Sequence, residues 1–225
     1  CIVVIITVLV LIGLLASYIA VKIKNRVLIN KQNKLKLFMQ QVIRAFAKTI
    51  DGKDKYTNGH SLRVAEYAAL IAKEAGYGPE QVDEIYNIAL LHDIGKISIP
   101  DAILNKTERL TEEEFAQMKK HTINGYEILS EISIFPQIAL GARYHHEKIN
   151  GTGYPSGLKG EEIPEIAKII AVADTFDAMY STRPYRKKLS IEYVAGELER
   201  VAGEQLDKKI VDVMIGLIRS GKIQT

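Results

Sequence analysis

Between Cys1 and Val21 no side chain carries a charge, and beyond Val21 the apolar positions recur with the spacing of helices rather than the alternation of strands. At the helical rise, segment 1–21 extends about 31 Å, close to the hydrocarbon thickness of a bilayer. It predicts a transmembrane helix. A cleaved signal peptide is the poorer reading, because a charged start and a clear small-residue cleavage site are missing. A helix apolar on every face fits a core only inside a larger protein, and a lipid on Cys1 would be redundant beside so long an apolar segment.

From 22 to 40 the pattern predicts a basic juxtamembrane linker helix. Leu28, Leu35 and Val42 recur every seven residues, with Phe38 and Ala45 at the other seam positions. This helix either pairs with a second copy in a homodimer or packs on its own domain, and Lys31 interrupts the seam. The polar run Asp51 to Asn58, with Gly52, predicts a break. Leu62, Val64, Ala65, Ala68, Leu70 and Ile71 then mark one helix ending at Gly76, and Val82, Ile85, Ile88, Ala89 and Leu91 a second that leads into His92. Thr111 and Glu114 form a capping-box pattern that opens a third. Pro136 to His146, Pro164 to Tyr180, Ser190 to Gly203 and Asp207 to Ser220 complete the set. No stretch alternates convincingly at period two. The reading is an all-α domain over 41–225 without internal repeat.

Charge adds an orientation. Eight cations, Lys22, Lys24, Arg26, Lys31, Lys34, Lys36, Arg44 and Lys48, precede the first acid, Asp51. By the positive-inside rule the side that follows the span faces the cytoplasm, where the basic stretch can meet anionic lipid heads. Removing those eight from the 30 basic residues leaves 22 against 27 acidic ones, which argues against nucleic acid as the main partner. Cys1 is the only cysteine, so an intrachain disulfide and a multi-thiolate metal site are excluded. The chain starts without Met, which leads us to expect an upstream sensor region.

The candidate chemistry lies in the polar residues that interrupt the apolar runs. His92 and Asp93 follow Ile88-Ala89-Leu90-Leu91, Asp174 follows Ile169-Ile170-Ala171-Val172-Ala173, and His145-His146-Glu147 opens a glycine-rich loop. His60 and His121 are the remaining histidines. Any one of these imidazoles alone is more simply a hydrogen-bonded helix residue, and Asp174 alone could pair with a buried arginine. A lone buried carboxylate costs several kcal/mol unless it is paired or metal-bound. Taken jointly, five histidines and two aspartates on five successive helical segments point to metal, since imidazole suits Fe, Zn or Ni and carboxylate suits Mn or Mg. The leading expectation is a dinuclear hydrolase.

His92-Asp93-Ile94-Gly95-Lys96 resembles the HDxGK core of HD metal-dependent phosphohydrolases. His145-His146-Glu147 with Gly151-Thr152-Gly153-Tyr154-Pro155-Ser156-Gly157-Leu158 resembles the HHExxxGxGYPxGL motif of the HD-GYP subfamily. The likeness extends over Asp54 to Arg186, including Tyr56-Thr57-Asn58-Gly59-His60 and Ala173-Asp174-Thr175-Phe176-Asp177-Ala178. It implies an HD-type helical bundle acting as a bacterial phosphodiesterase on cyclic di-GMP. It also implies two divalent ions, iron or manganese, one held by His60, His92, Asp93 and Asp174, the other by Asp93, His121, His145 and His146. Asp93 would bridge them, with a bridging hydroxide as nucleophile.

Lys96 would support the nucleophile or the phosphate, or else snorkel to the surface. Arg183 and Arg186 match substrate-phosphate positions, and Gly153, Tyr154 and Pro155 would let backbone and ring meet the nucleotide, unless the loop is only a glycine-rich turn. Some members carry a metal-binding Glu where this chain has Tyr56, which leads us to expect two metals, linear pGpG as main product and slower conversion to GMP. Two rival readings are a non-catalytic signalling module and a phosphohydrolase of another nucleotide such as dNTP or ppGpp.

Overall fold

The computed structural model describes residues 2–54, 59–182 and 188–223. Among them no strand occurs, only two isolated bridges, so the all-α expectation is borne out. The chain divides into two compact units, residues 1–42 and 43–225. The first is a single stretch of helix α1 (Ile2–Lys53), which continues unbroken through the expected junction after Val21. Its side chains from Ile2 to Val21 are exposed. By length and composition α1 is the one helix among the described residues able to cross a membrane. The seam residues Leu28, Leu35 and Phe38 are exposed as well.

The second unit begins with the last turns of α1, where Ala47 and Ile50 enter the core. The break expected at Gly52 falls instead at Asp54, after Lys53 has closed the helix. Asp54 turns its carboxylate to Lys96, 3.0 Å away. Helices α2 (His60–Glu74) and α3 (Pro79–Leu90) pack on each other, and a 3-10 turn (Ile94–Ser98) leads to the short α4 (Asp101–Leu104). In α2 the buried residues Val64, Ala65, Ala68, Ile71 and Ala72 form one stripe at helical spacing, which is why that face docks.

Helix α5 (Glu112–Ser130) opens on the expected capping box: Glu114 N donates to Thr111 Oγ1 at 3.2 Å, and Thr111 N to Glu114 Oε2 at 2.8 Å. It lies against α6 (Gln137–Tyr144) and the 3-10 turn. Helix α7 (Glu165–Tyr180) is buried along most of its length and packs on α2, α6, α8 (Ile191–Val201) and α9 (Lys208–Arg219), which makes it the axis of the unit. Phe176, fully buried, meets Tyr67 edge-on at 4.8 Å and Tyr180 at 5.1 Å. Such a side chain contributes about 1.5–3 kcal/mol by burial.

The expected helices are present, with one informative difference. His92 and Asp93 do not continue α3; they lie in the turn between α3 and the 3-10 segment, and His145 and His146 lie just past α6. Neighbours on an α-helix point about 100° apart and cannot readily serve one centre. Outside the helix, the rings of His145 and His146 stand 4.1 Å apart and face the same place.

Gly95 brings the 3-10 turn against α5. A Cβ there would overlap the carbonyl of His121 and the amide of Gly125, both backbone atoms with nowhere to go. Gly95→Ala is expected to destabilise the chain by about 1–3 kcal/mol, read from the urea midpoint. Gly216→Ala, at an exposed α9 position with open space around it, should instead stabilise by about 0.5–1 kcal/mol.

Candidate metal centre

Five segments converge on one buried point. His60 opens α2, His92 and Asp93 occupy the turn after α3, His121 lies within α5, His145 and His146 follow α6, and Asp174 lies in α7. Three overlapping groups, His60–His92–Asp174, His92–Asp93–His145 and His121–His145–His146, each hold donor atoms within 4.8 Å of one another. Asp93 stands between them. Its Oδ2 is 3.3 Å from His92 Nε2 and 3.9 Å from His60 Nε2, while its Oδ1 is 3.5 Å from His121 Nε2 and 3.8 Å from His145 Nε2.

The hydrogen bonds behind the rings set which nitrogen faces inward. His92 Nδ1 donates to Ala89 O at 2.7 Å, His121 Nδ1 to Met118 O at 2.8 Å, and His145 Nδ1 to Ala142 O at 3.0 Å. A carbonyl only accepts, so Nδ1 carries a proton in all three rings. In His121 and His145, neutral by burial, the Nε2 lone pair points at the centre, whereas in His92 Asp93 raises the pKa against the effect of burial and Nε2 faces that carboxylate. His121 and His145 thereby aim their Nε2 atoms at each other across 3.4 Å. Two lone pairs so placed repel unless a cation draws on both, and this donor set fits a divalent ion.

The protonation pattern agrees. Burial holds His121, His145 and His146 below the usual imidazole range, His146 at about 3, so these three are neutral at pH 7 and could each offer a lone pair to a metal ion. Burial alone would depress His60 too, but Asp174 and Asp177 at its two ring nitrogens, with Asp93 nearby, push it up to about 9. Against the opposing effect of burial, Lys96 and His92 hold Asp93 far below the carboxylate range, and His60 does the same for Asp174. Both carboxylates are anions ready to bind.

Lys96 does not snorkel. Its ammonium lies 2.8 Å from Asp93 Oδ2 and 3.0 Å from Asp54 Oδ2, with the side chain 15% exposed. Tyr154 lays its ring 4.8 Å from that of His146, and its amide donates to His146 O at 3.2 Å. Gly153 permits this fold-back, because a Cβ there would strike the backbone of His146, Glu147 and Lys148. Pro155 follows across a cis peptide bond. Arg183, Arg186 and Tyr56 lie outside the described residues.

Several supporting residues escaped the sequence reading. Glu147, 3% exposed, accepts from the amides of Ser156 at 2.7 Å and Gly157 and Leu158 at 3.1 Å each, and so pins the loop that carries Tyr154. Asp177 accepts from His60 Nδ1 at 2.7 Å and from Arg63 Nε at 2.6 Å, fixing the ring of the first donor. Its position, three residues after Asp174 and on the same helix face, was the available signal. Phe115 and Lys119 gather beside Tyr154, with Lys119 Nζ 5.2 Å and 5.8 Å from the two ring centroids. A cavity of about 180 Å³ touches His146 and Asp174 and is lined further by Thr175, Met179 and Gln205.

Residues 44–210 match the HD domain family. The chain belongs to it. Among curated relatives, a cyclic di-GMP phosphodiesterase of Thermotoga maritima is 43% identical over 183 residues, which are 80% of this chain and 50% of that protein. A 3'3'-cGAMP-specific phosphodiesterase 3 of Vibrio cholerae is 40% identical over 72% of this chain and 35% of its own length. The HD-family chain thus spans about half or less of these relatives. The crystal structure of a cyclic GMP-AMP-specific phosphodiesterase of V. cholerae shares the fold, with TM-score 0.65 and 19% identity over 80% of this chain and 49% of the other. The HD-GYP likeness read from the motifs is borne out.

Two outcomes test this HD centre. Asp177→Asn leaves the donors in place but weakens the hold on His60, and metal affinity should fall about 10- to 100-fold, measured by competition with a chelator. His60, held up to about 9, carries protons on both ring nitrogens at pH 7 in the metal-free protein. Metal uptake should therefore expel about one proton or more, and affinity should rise with pH until about 9. Calorimetry in two buffers of different ionisation enthalpy reads the release, and zero protons would contradict the assignment.

Proposed function

We propose that this chain is the membrane-linked catalytic part of a phosphodiesterase that opens cyclic di-GMP to linear pGpG, with slower conversion to GMP. The observation that carries the reading is the complete donor set split across the two oxygens of Asp93, beside a loop fixed by Glu147. Two divalent ions, iron or manganese, would be held by His60, His92, Asp93 and Asp174 on one side and by Asp93, His121, His145 and His146 on the other. When bound, such a pair supplies an acidified water and neutralises charge at phosphorus.

The chain's own residues supply position. Lys96 presents a cation beside Asp93, where it can meet a phosphate oxygen. Gly153, Tyr154 and Pro155 form one wall, and Arg183 and Arg186 are proposed to take the second phosphate. Tyr56, a neutral phenol, is a poor third-metal ligand, which supports two ions and pGpG as the main product. The basic residues after Val21 support a cytoplasmic catalytic domain on the bacterial inner membrane, with the seam Leu28–Leu35–Val42 as the surface for a homodimer.

A second substrate competes on a specific observation, since relatives at similar identity carry 3'3'-cGAMP in their names. The test incubates Mn- or Fe-loaded protein under reducing conditions with cyclic di-GMP, 3'3'-cGAMP or ppGpp and separates the products by chromatography. Cyclic di-GMP should give pGpG, chelation should abolish turnover, and Asp93→Ala should cost more than the roughly 100-fold that loss of an outer partner costs. Faster turnover of 3'3'-cGAMP would reassign the substrate. No turnover of any of the three would sink the enzymatic reading in favour of a binding module.

A further inference from the structure

Three side chains at the inner end of α1 grip the frame that carries the metal donors, and none of them is itself assigned as a donor. Asp51, 7% exposed, accepts from Ser61 Oγ at 2.6 Å and Ser61 N at 3.2 Å, and so caps α2 next to His60. Lys53 Nζ donates to the carbonyls of Ile99 at 2.6 Å, Ile97 at 2.7 Å and Lys96 at 3.2 Å, with Asp101 Oδ1 3.5 Å away. Asn105 Nδ2 donates back to Lys53 O at 3.1 Å. Asp54, 5% exposed, meets Lys96 Nζ at 3.0 Å.

Each contact answers a physical need. A 3-10 turn of five residues gathers carbonyls at its end; Lys96 O already accepts from Ile99 N at 3.1 Å, and an ammonium placed there adds a donor to it and serves Ile97 O and Ile99 O. Lysine carries its charge on a flexible four-carbon stem and does not by itself keep one position. Between Asp93 at 2.8 Å and Asp54 at 3.0 Å the ammonium is held from two sides. Removing one partner of a buried ionic group leaves the others uncompensated, so the arrangement responds strongly to small displacements.

We propose that Asp54 is a positioning residue for Lys96, and that the inner end of α1, through Asp54 and Lys53, sets whether that lysine stands over Asp93. The inference rests on the phosphodiesterase reading above. A slide or rotation of the last turn of α1 would reach Lys96 and segment 94–99 directly, while His121 and Asp174 sit on α5 and α7 and His145 and His146 just past the end of α6. The helix end is thus a control point for activity that leaves most of the metal donors in place.

The experiment compares the full chain with Asp54→Asn, Asp54→Glu and Lys53→Met, and uses exposed Glu74→Gln as a reference. Asp54→Asn should lower kcat for cyclic di-GMP about 10- to 100-fold, with KM and metal content little changed, and Asp54→Glu should restore most of it. Hydrogen exchange of the peptide spanning Ile94 to Leu104 should quicken in Asp54→Asn and Lys53→Met but not in Glu74→Gln. Unchanged kcat, or an equal loss of metal in Asp54→Asn, would overturn the proposal. If the wild-type chain turns over no cyclic dinucleotide, the functional reading fails separately; exchange that stays unchanged in both variants overturns the positioning role regardless.

Discussion

The Asp93 carboxylate has one oxygen among the nitrogens of His60 and His92 and the other among those of His121 and His145. A buried anion in that position demands compensation from every side, because desolvation in a protein interior costs several kcal/mol per ion. Lys96 supplies part of it, His92 another part, and divalent ions would complete it. The surrounding frame can be understood as the means of holding cations and donors around this one group.

That frame explains the placement of the helices. Helix α7, buried nearly throughout, carries Asp174 and Asp177 on adjoining turns, so one element presents both a donor and the group that orients another donor. The paired donors His92-Asp93 and His145-His146 sit where α3 and α6 have just ended, since only a turn lets consecutive side chains converge. Gly95 and Gly125 allow the 3-10 turn to press against α5, which brings His121 to within reach of Asp93. Close backbone approach and donor geometry are one constraint here.

Much of this was legible in the chain. Apolar spacing located α2, α3 and α5 to α9, the Thr111–Glu114 pair marked the start of α5, and polar residues ending apolar runs marked His92, Asp93 and Asp174. What stayed hidden were residues whose role depends on contacts distant in sequence. Asp54 reads as one more acid in a polar break, yet it meets Lys96, 42 positions away. Glu147 reads only as the third residue of a motif that opens a glycine-rich loop, while its carboxylate holds three amides of that loop. Gly52 suggested a break that the contacts of Asp51 and Lys53 defer by two residues. Local pattern carries helix existence well, but not the partner that a charged side chain chooses.

Anomalous diffraction from the chain crystallised with manganese tests the central claim most directly. The account predicts two metal peaks per chain that share Asp93, one beside His60, His92 and Asp174 and the other beside His121, His145 and His146. A single peak, a third one, or two peaks without Asp93 between them would contradict it.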